Sequence, residues 1–260
     1  MPGCIRHFRE GPLGWLVIDQ PERHNAVSAA MWAALPRAAQ ALESDPEVRV
    51  ILLRGAGERA FVSGADISEF ETRRSGGARV AYDASVAGGA FAWNAVDKPV
   101  IAMIHGICFG GGVGLALAAD LRYAADDALF CIPAARLGVG YPAQGFAALE
   151  RLVGPASALE IFFTARRYAA SEAQALGLVN AVWPKPELES RVRELALRIA
   201  ENAPLTLRCV KRAARELRRP HAERDQAALD AQVAACFESE DYREGTRAFL
   251  EKRAPRFRGC

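Results

Sequence analysis

The sequence lacks the features that mark several large classes of protein. Its six cysteines form no CxxC pair and no metal-ligand spacing, and the opening residues MPGCIRHFREG contain no apolar signal segment. With 33 basic and 31 acidic residues, the net charge of +2 gives no general attraction to nucleic acid or to an anionic membrane. We therefore expect a cytoplasmic protein with reduced thiols, no bound metal, and no nucleic-acid or membrane partner.

Charged side chains are also missing from residues 99–119, a stretch long enough to cross a membrane. The same stretch contains His105 and five glycines, which favour turns over a spanning helix. We interpret it as a strand, a turn and a buried helix.

Short apolar segments alternate with loops and helical segments through most of the chain. The β-favouring runs WLVID (15–19), VRVILLRG (48–55) and PVIAMIHG (99–106) predict buried strands. Ser28 predicts the start of a helix over AAMWAALPRAAQALE, with Pro36 as a kink or break. This alternation indicates an α/β fold in which helices cover a sheet.

The composition changes from about Glu187 onwards. Apolar residues now recur at three- and four-residue spacing between charges, which predicts amphipathic helices that extend a single domain. The basic residues of the segment LTLRCVKRAARELRR alternate with acidic and apolar positions. We interpret them as a solvated helix face: Lys211, Arg212, Arg215, Arg218 and Arg219.

Glycines are concentrated in the segment HGICFGGGVGLALAAD (105–120). No Lys follows the glycine triplet, so a nucleotide-hydrolysing phosphate loop is excluded. A strand, a glycine turn and an apolar helix would point free backbone N–H groups at a ligand. The same glycines would equally allow a helix to pack tightly on a strand. From this segment alone both interpretations stay open.

A second segment, AFVSGADISEF (60–70), again places a Gly-small-Asp turn after a predicted strand. Together with the glycine segment and with PERHNAVS, FFTARRYAASEAQALGLVNAV and SEDYREGTRAFLEKRAPRF, it resembles the crotonase superfamily, the enoyl-CoA hydratase/isomerase family. The resemblance implies a crotonase-like ββα spiral core over residues 1–195 and a C-terminal helical trimerisation region over residues 196–260. It also implies assembly as a homotrimer or a hexamer.

The resemblance implies an acyl-CoA thioester as substrate, with coenzyme A entering as part of that substrate and no separate cofactor. The backbone N–H groups of Ala65 and Gly111 would converge on the thioester carbonyl and hold the enolate that forms. The residues that would contact coenzyme A are Arg23, Arg59 and Lys252 near the nucleotide, and Asp66, Ile67 and Ser68 beside the pantetheine arm. Each of the three basic residues could instead be an ordinary surface charge.

Two departures from the family pattern affect the expected reaction. Hydratases of the family carry two glutamates, where this sequence has Gly114 and Ala134. Hydration needs a base to activate water and an acid to protonate the enolate, so a standard hydration is in doubt. The segment PAARLGVGYP is similar instead to methylmalonyl-CoA decarboxylase-like members, and Tyr141 occupies the tyrosine position. That subgroup has His where Ala65 stands.

Decarboxylation suits this residue set because loss of carbon dioxide generates the enolate without a base. Tyr141 would then be the proton donor, or alternatively an aromatic residue in the pocket wall. We therefore predict an acyl-CoA enzyme that stabilises a thioester enolate and acts as a decarboxylase-like lyase. The alternative is a non-catalytic acyl-CoA-binding protein, which the two missing glutamates would also explain.

Overall fold

The structure, a computed structural model, describes residues 3–69, 78–90 and 92–260. The strands are β1 (Cys4–Glu10), β2 (Leu13–Asp19), β3 (Val50–Gly55), β4 (Ala60–Val62), β5 (Val100–Ile104), β6 (Ile107–Phe109), β7 (Leu121–Ala125), β8 (Leu129–Cys131), β9 (Tyr168–Ala169) and β10 (Ala181–Trp183). The α-helices are α1 (Ala29–Ser44), α2 (Ala78–Ala90), α3 (Gly111–Ala118), α4 (Ala143–Val153), α5 (Pro155–Thr164), α6 (Ala170–Ala175), α7 (Lys185–Ala200), α8 (Pro204–Glu216), α9 (Gln226–Glu238) and α10 (Glu240–Leu250).

The strands form two sheets, and the strands from β3 to β8 alternate between them. A six-stranded sheet has the order β1-β2-β3-β5-β7-β10, and a four-stranded sheet has the order β4-β6-β8-β9. Strands β3, β5 and β7 each pass directly into β4, β6 and β8 of the other sheet, and a helix follows. Only the β1–β2 and β8–β9 pairs are antiparallel among the described strands. This repeated strand–strand–helix progression is the predicted ββα spiral.

The three predicted strands are confirmed as β2, β3 and β5. Apart from Asp19 and Arg54 near their ends, these strands are apolar, because helices and the smaller sheet cover both faces of the larger sheet. Alternate residues therefore enter different cores: Ile51 packs toward α1, whereas Leu52 packs toward Leu188 and Val192 of α7.

Helix α1 begins as predicted, since the Ser28 side chain accepts a hydrogen bond from the Met31 amide at 3.3 Å. Of the kink or break predicted at Pro36, the break is wrong, because the helix continues to Ser44. Pro36 is exposed, while Leu35 and neighbouring apolar residues are buried on the opposite face. Burial of that face compensates for the hydrogen bond that proline cannot make.

The interpretation of the basic residues of LTLRCVKRAARELRR as a solvated face is wrong for Lys211 and Arg215, whereas the Arg212 side chain stays 42% exposed. The Lys211 ammonium lies 2.6 Å from the Asp120 carboxylate and is mostly buried. Arg212 and Arg215 both bind Asp97, and these hydrogen bonds outweigh burial and hold the pKa of Asp97 below its ordinary value. Helix α8 is therefore bound by its charges to one end of the larger sheet.

The C-terminal helices expose large apolar side chains. The most exposed are Val210, Leu217, Phe237, Phe249 and Leu250. The division of the chain at residues 195 and 196 falls inside α7, and it stays a prediction, as does the trimerisation role of the helices. No helix in the described ranges is long and apolar enough to cross a membrane.

Candidate active site

Two glycine-containing turns leave neighbouring strands of the smaller sheet at the same edge. Gly64 and Ala65 follow β4, and Gly110 and Gly111 follow β6. Because β4 and β6 are parallel partners, their carboxyl ends meet and the two turns emerge side by side.

The two turns are in contact. A Cβ atom placed on Gly111 would lie 3.6 Å from the Ala65 nitrogen, and one on Gly64 would lie 3.7 Å from the Gly111 nitrogen. Gly64 and Gly110 have φ angles of +116° and +51°, which side chains rarely allow. Glycine at these two positions is what permits the approach.

Hydrogen bonds hold both turns while leaving two amides free. Gly64 O accepts from the Val27 amide at 2.8 Å, Val27 O accepts from the Asp66 amide at 3.0 Å, and the Gly110 amide donates to a strand carbonyl. Neither the Ala65 nor the Gly111 amide donates to a backbone carbonyl within the described part of the chain. Gly111 is the first residue of α3, whose opening amides have no partner in the helix. Two adjacent free donors can bind an oxygen that carries negative charge.

The alternative interpretation of the glycines, close packing, applies to Gly112. A Cβ atom there would lie 2.2 Å from the carbonyl oxygen of Val62. Neighbouring glycines are therefore needed for different reasons. Gly112 allows α3 to pack closely on β4, whereas Gly110 adopts the positive φ angle of the turn.

The structure brings together three of the residues predicted to contact coenzyme A. The Arg23 guanidinium donates to the Asp66 carboxylate at 2.8 Å and to Ser68 Oγ at 3.1 Å, and Ser68 Oγ donates to Asp66 at 2.7 Å. Burial raises the pKa of Asp66, but the hydrogen bonds from Ser68 and Arg23 outweigh it, and the pKa lies below its ordinary value. Asp66 therefore braces the turn as an ionised acceptor, while the Arg23 side chain stays 56% exposed.

The other three predicted contacts differ in position. Ile67 lies in the same turn and is 60% exposed. Arg59 donates to the carbonyl of Pro21 at 3.3 Å, which places it beside the turn that contains Arg23. Lys252 follows α10, and among the described residues no hydrogen bond or ion pair joins its side chain to either glycine turn. Phe70, the last residue of the AFVSGADISEF motif, lies outside the described residues.

Tyr141 lies between the turn at Pro133–Leu137 and α4, with its ring edge-on to Phe162 at 4.6 Å between centroids. Burial raises the pKa of its hydroxyl to about 12. Its hydroxyl has no hydrogen-bond partner within the described ranges. Tyr141 is therefore a protonated donor at neutral pH.

The two positions of the missing glutamates, Gly114 and Ala134, have no acidic side chain of their own. Ala134 is buried within the turn at Pro133–Leu137. A Cβ atom on Gly114 would meet nothing within 4 Å, so the helix faces open space there.

Sequence reasoning missed Trp32. This fully buried side chain places its Cζ2 atom 3.0 Å from the position of a Cβ on Gly111. The indole ring thus borders the free amide of α3. Its sequence position on α1 gives no signal of this proximity, because the contact depends on how α1 packs against α3.

A family model described as enoyl-CoA hydratase/isomerase matches residues 11–260. The chain belongs to the enoyl-CoA hydratase/isomerase family. It is 36% identical over 267 residues to a carnitinyl-CoA dehydratase from Salmonella typhi, with all of both chains covered. As a member of the enoyl-CoA hydratase/isomerase family, it is classed as an acyl-CoA enzyme.

Solved structures of the enoyl-CoA hydratase/isomerase family share the fold. An enoyl-CoA hydratase/carnithine racemase from Magnetospirillum magneticum has a TM-score of 0.92 at 36% identity, covering 98% of this chain and 96% of its own. An enoyl-CoA hydratase from Bacillus anthracis has a TM-score of 0.90 at 30% identity, covering 98% and 99%. The predicted crotonase-like fold and family membership are confirmed.

Proposed function

We propose that this protein stabilises the enolate of an acyl-CoA thioester between the backbone amides of Ala65 and Gly111. The observation that carries the proposal is the contact of two turns in which the Ala65 and Gly111 amides have no backbone acceptor among the described residues. A preorganised donor of this kind contributes roughly a hundred- to a thousandfold in rate, because it binds charge as the charge develops.

The turn beside these amides supplies the coenzyme A contacts. Arg23 and Arg59 flank the edge where the nucleotide would bind, and Asp66, Ile67 and Ser68 border the pantetheine arm. The Arg23–Asp66–Ser68 hydrogen bonds support this assignment because they fix the turn and still leave the guanidinium partly exposed. Lys252 would complete the nucleotide site. The exposed apolar side chains of α8–α10 support assembly as a homotrimer or hexamer.

The reaction that fits this residue set best is decarboxylation. The bond from the α carbon to a substrate carboxylate breaks, its electron pair passes to the thioester as an enolate, and carbon dioxide leaves. The Tyr141 hydroxyl then gives its proton to the α carbon and regains one from water. What supports decarboxylation is the absence of carboxylates at Gly114 and Ala134 together with a protonated tyrosine.

The full-length similarity to carnitinyl-CoA dehydratase favours a second candidate reaction. In that reaction the same two amides would stabilise the enolate of a 3-hydroxyacyl thioester that loses water. Such an elimination requires a base to remove the α proton, and neither Gly114 nor Ala134 supplies one. We therefore rank it below decarboxylation.

Purified protein incubated with methylmalonyl-CoA, crotonyl-CoA and carnitinyl-CoA would separate these reactions. We expect carbon dioxide release from methylmalonyl-CoA and little hydration of crotonyl-CoA. Hydration at the rates of glutamate-containing family members would overturn our interpretation of Gly114 and Ala134. Calorimetric binding of every thioester with no turnover would favour the non-catalytic acyl-CoA-binding protein.

A further inference from the structure

Helix α3 ends at a buried arginine. Arg122, on β7, is 6% exposed and donates from its guanidinium to the carbonyl of Ala119 at 2.7 Å and to that of Ala116 at 3.4 Å. These carbonyls belong to the last turn of α3 and its cap, where the α-helical hydrogen-bond pattern ends, and the Ala116 carbonyl also accepts from the Ala119 amide at 3.2 Å. The same guanidinium donates to the carbonyl of Leu178 at 3.0 Å. One side chain thus binds the helix end to a neighbouring segment.

The charge of Arg122 faces carbonyl dipoles. Among the described residues no carboxylate forms an ion pair with it, although the Asp120 charge lies close enough to favour the charged form. Burial lowers its pKa to about 10, so the guanidinium stays charged at neutral pH. A cation at a helix C-terminus interacts favourably with the helix dipole.

The backbone on either side of this arginine is fixed as well. The Arg122 amide donates to Asn180 Oδ1 at 2.8 Å, and the Asn180 amide donates to the Arg122 carbonyl at 2.8 Å. Next to it, Asp120 accepts from the Val100 amide at 2.7 Å and binds Lys211. The helix end is therefore held to two neighbouring parts of the larger sheet.

Helix α3 has eight residues, so its two ends are only about 12 Å apart. A shift at the C-terminal end moves the Gly111 amide at the other end relative to Ala65. We propose that Arg122 is a positioning residue for the oxyanion site, which it aligns through α3. This inference rests on the proposed function of the Ala65 and Gly111 amides.

The variants Arg122→Met and Arg122→Lys test this role, with Arg198→Met as the control on an exposed helix position. Methionine keeps an unbranched side chain and removes the charge and the donors. Lysine keeps the charge but loses the forked geometry. We expect Arg122→Met to lower kcat by about 10- to 100-fold with KM changed by less than about threefold, because a small misplacement of a catalytic group costs up to about a hundredfold. Arg122→Lys should recover part of kcat, and Arg198→Met should leave it unchanged.

A second readout measures the oxyanion site without turnover. Acetoacetyl-CoA bound to the protein should show the near-ultraviolet absorbance of its enolate, and Arg122→Met should reduce that signal at saturating ligand. An unchanged kcat and enolate signal in a folded Arg122→Met variant would overturn the inference. If that variant does not fold, an unchanged kcat in Arg122→Lys would overturn it instead. Absence of both turnover and enolate signal in the unaltered protein would overturn the proposed function itself, and the inference with it.

Discussion

The two ends of helix α3 differ in how their backbone groups are satisfied. At the C-terminal end, the Arg122 guanidinium binds the carbonyls of Ala116 and Ala119. At the N-terminal end, the Gly111 amide has no backbone acceptor in the described structure and lies against the equally unpaired Ala65 amide. The carbonyls at the C-terminal end of α3 therefore have a buried side chain as their partner, whereas the amide donor at the N-terminal end has no backbone acceptor among the described residues. Ala65 and Gly111 are only partly buried, so their amides are open to an incoming acceptor.

The largest effect is expected from removing the Gly111 N–H donor at the N-terminal end of α3. Proline is tolerated at the first helical position, so Gly111→Pro should delete the N–H while preserving α3. Gly111→Ala is the matched control, because it keeps the N–H and adds the same crowding against Trp32. We expect kcat of the proline variant to be roughly 100- to 1000-fold below that of the alanine variant in steady-state kinetics. Equal rates for the two variants would contradict the role of this amide.

Tyr141→Phe tests whether a side chain is needed as well as the amides. Loss of a proton donor should lower carbon dioxide release about a hundredfold while leaving thioester binding unchanged. Since the pKa of Tyr141 is about 12, the rate should show no ionisation of this group near neutral pH. A kinetic pKa near neutrality that disappears in Tyr141→Phe would show that the environment of this hydroxyl is different from the one described.

Alanine substitutions at two glycines of α3 distinguish close packing from helix propensity. Gly112→Ala would place a Cβ 2.2 Å from the Val62 carbonyl oxygen, and we expect the free energy of unfolding to fall by about 1–3 kcal/mol. Gly114→Ala points into open space and should raise it by about 0.5–1 kcal/mol, because alanine favours helix. Urea denaturation measures both. Equal effects at the two positions would mean that α3 does not pack on β4 as described.

The smallest effect is expected at the turn that braces the site. Asp66→Asn should weaken coenzyme A binding by a few fold in calorimetry, because Arg23 loses an ionised partner. The pKa of Asp66 is lowered on folding, so its stabilising effect is present above the ordinary Asp value near 4 and is lost as the pH falls through the lowered one. The stability difference between Asp66→Asn and the unaltered protein should therefore shrink in acid. A difference that grows in acid would contradict this ionisation.

The sequence predicts local features of this fold well. The apolar runs that become β2, β3 and β5 are set by β-favouring residues, and the Ser28 cap is set by a side chain that reaches its own helix. The glycine turns can also be predicted, because positive φ angles favour residues without a Cβ. Features of this kind depend on neighbours within a few positions along the chain.

Contacts between residues far apart in the sequence cannot be predicted from local patterns. Lys211 and Asp120 are separated by many residues, and nothing in the alternating charges of α8 indicates that this lysine is buried. The same holds for Trp32 beside Gly111 and for Arg122 at the end of α3. In each case the packing of helices on the sheets determines the partner. The residue type alone does not predict whether its side chain is buried or exposed.

The most direct test of the account is a crystal structure with an unreactive acyl-CoA analogue bound. We predict that the thioester oxygen lies about 2.7–3.1 Å from both the Ala65 and the Gly111 nitrogen. A thioester oxygen that contacts solvent, or only one of these amides, would contradict it.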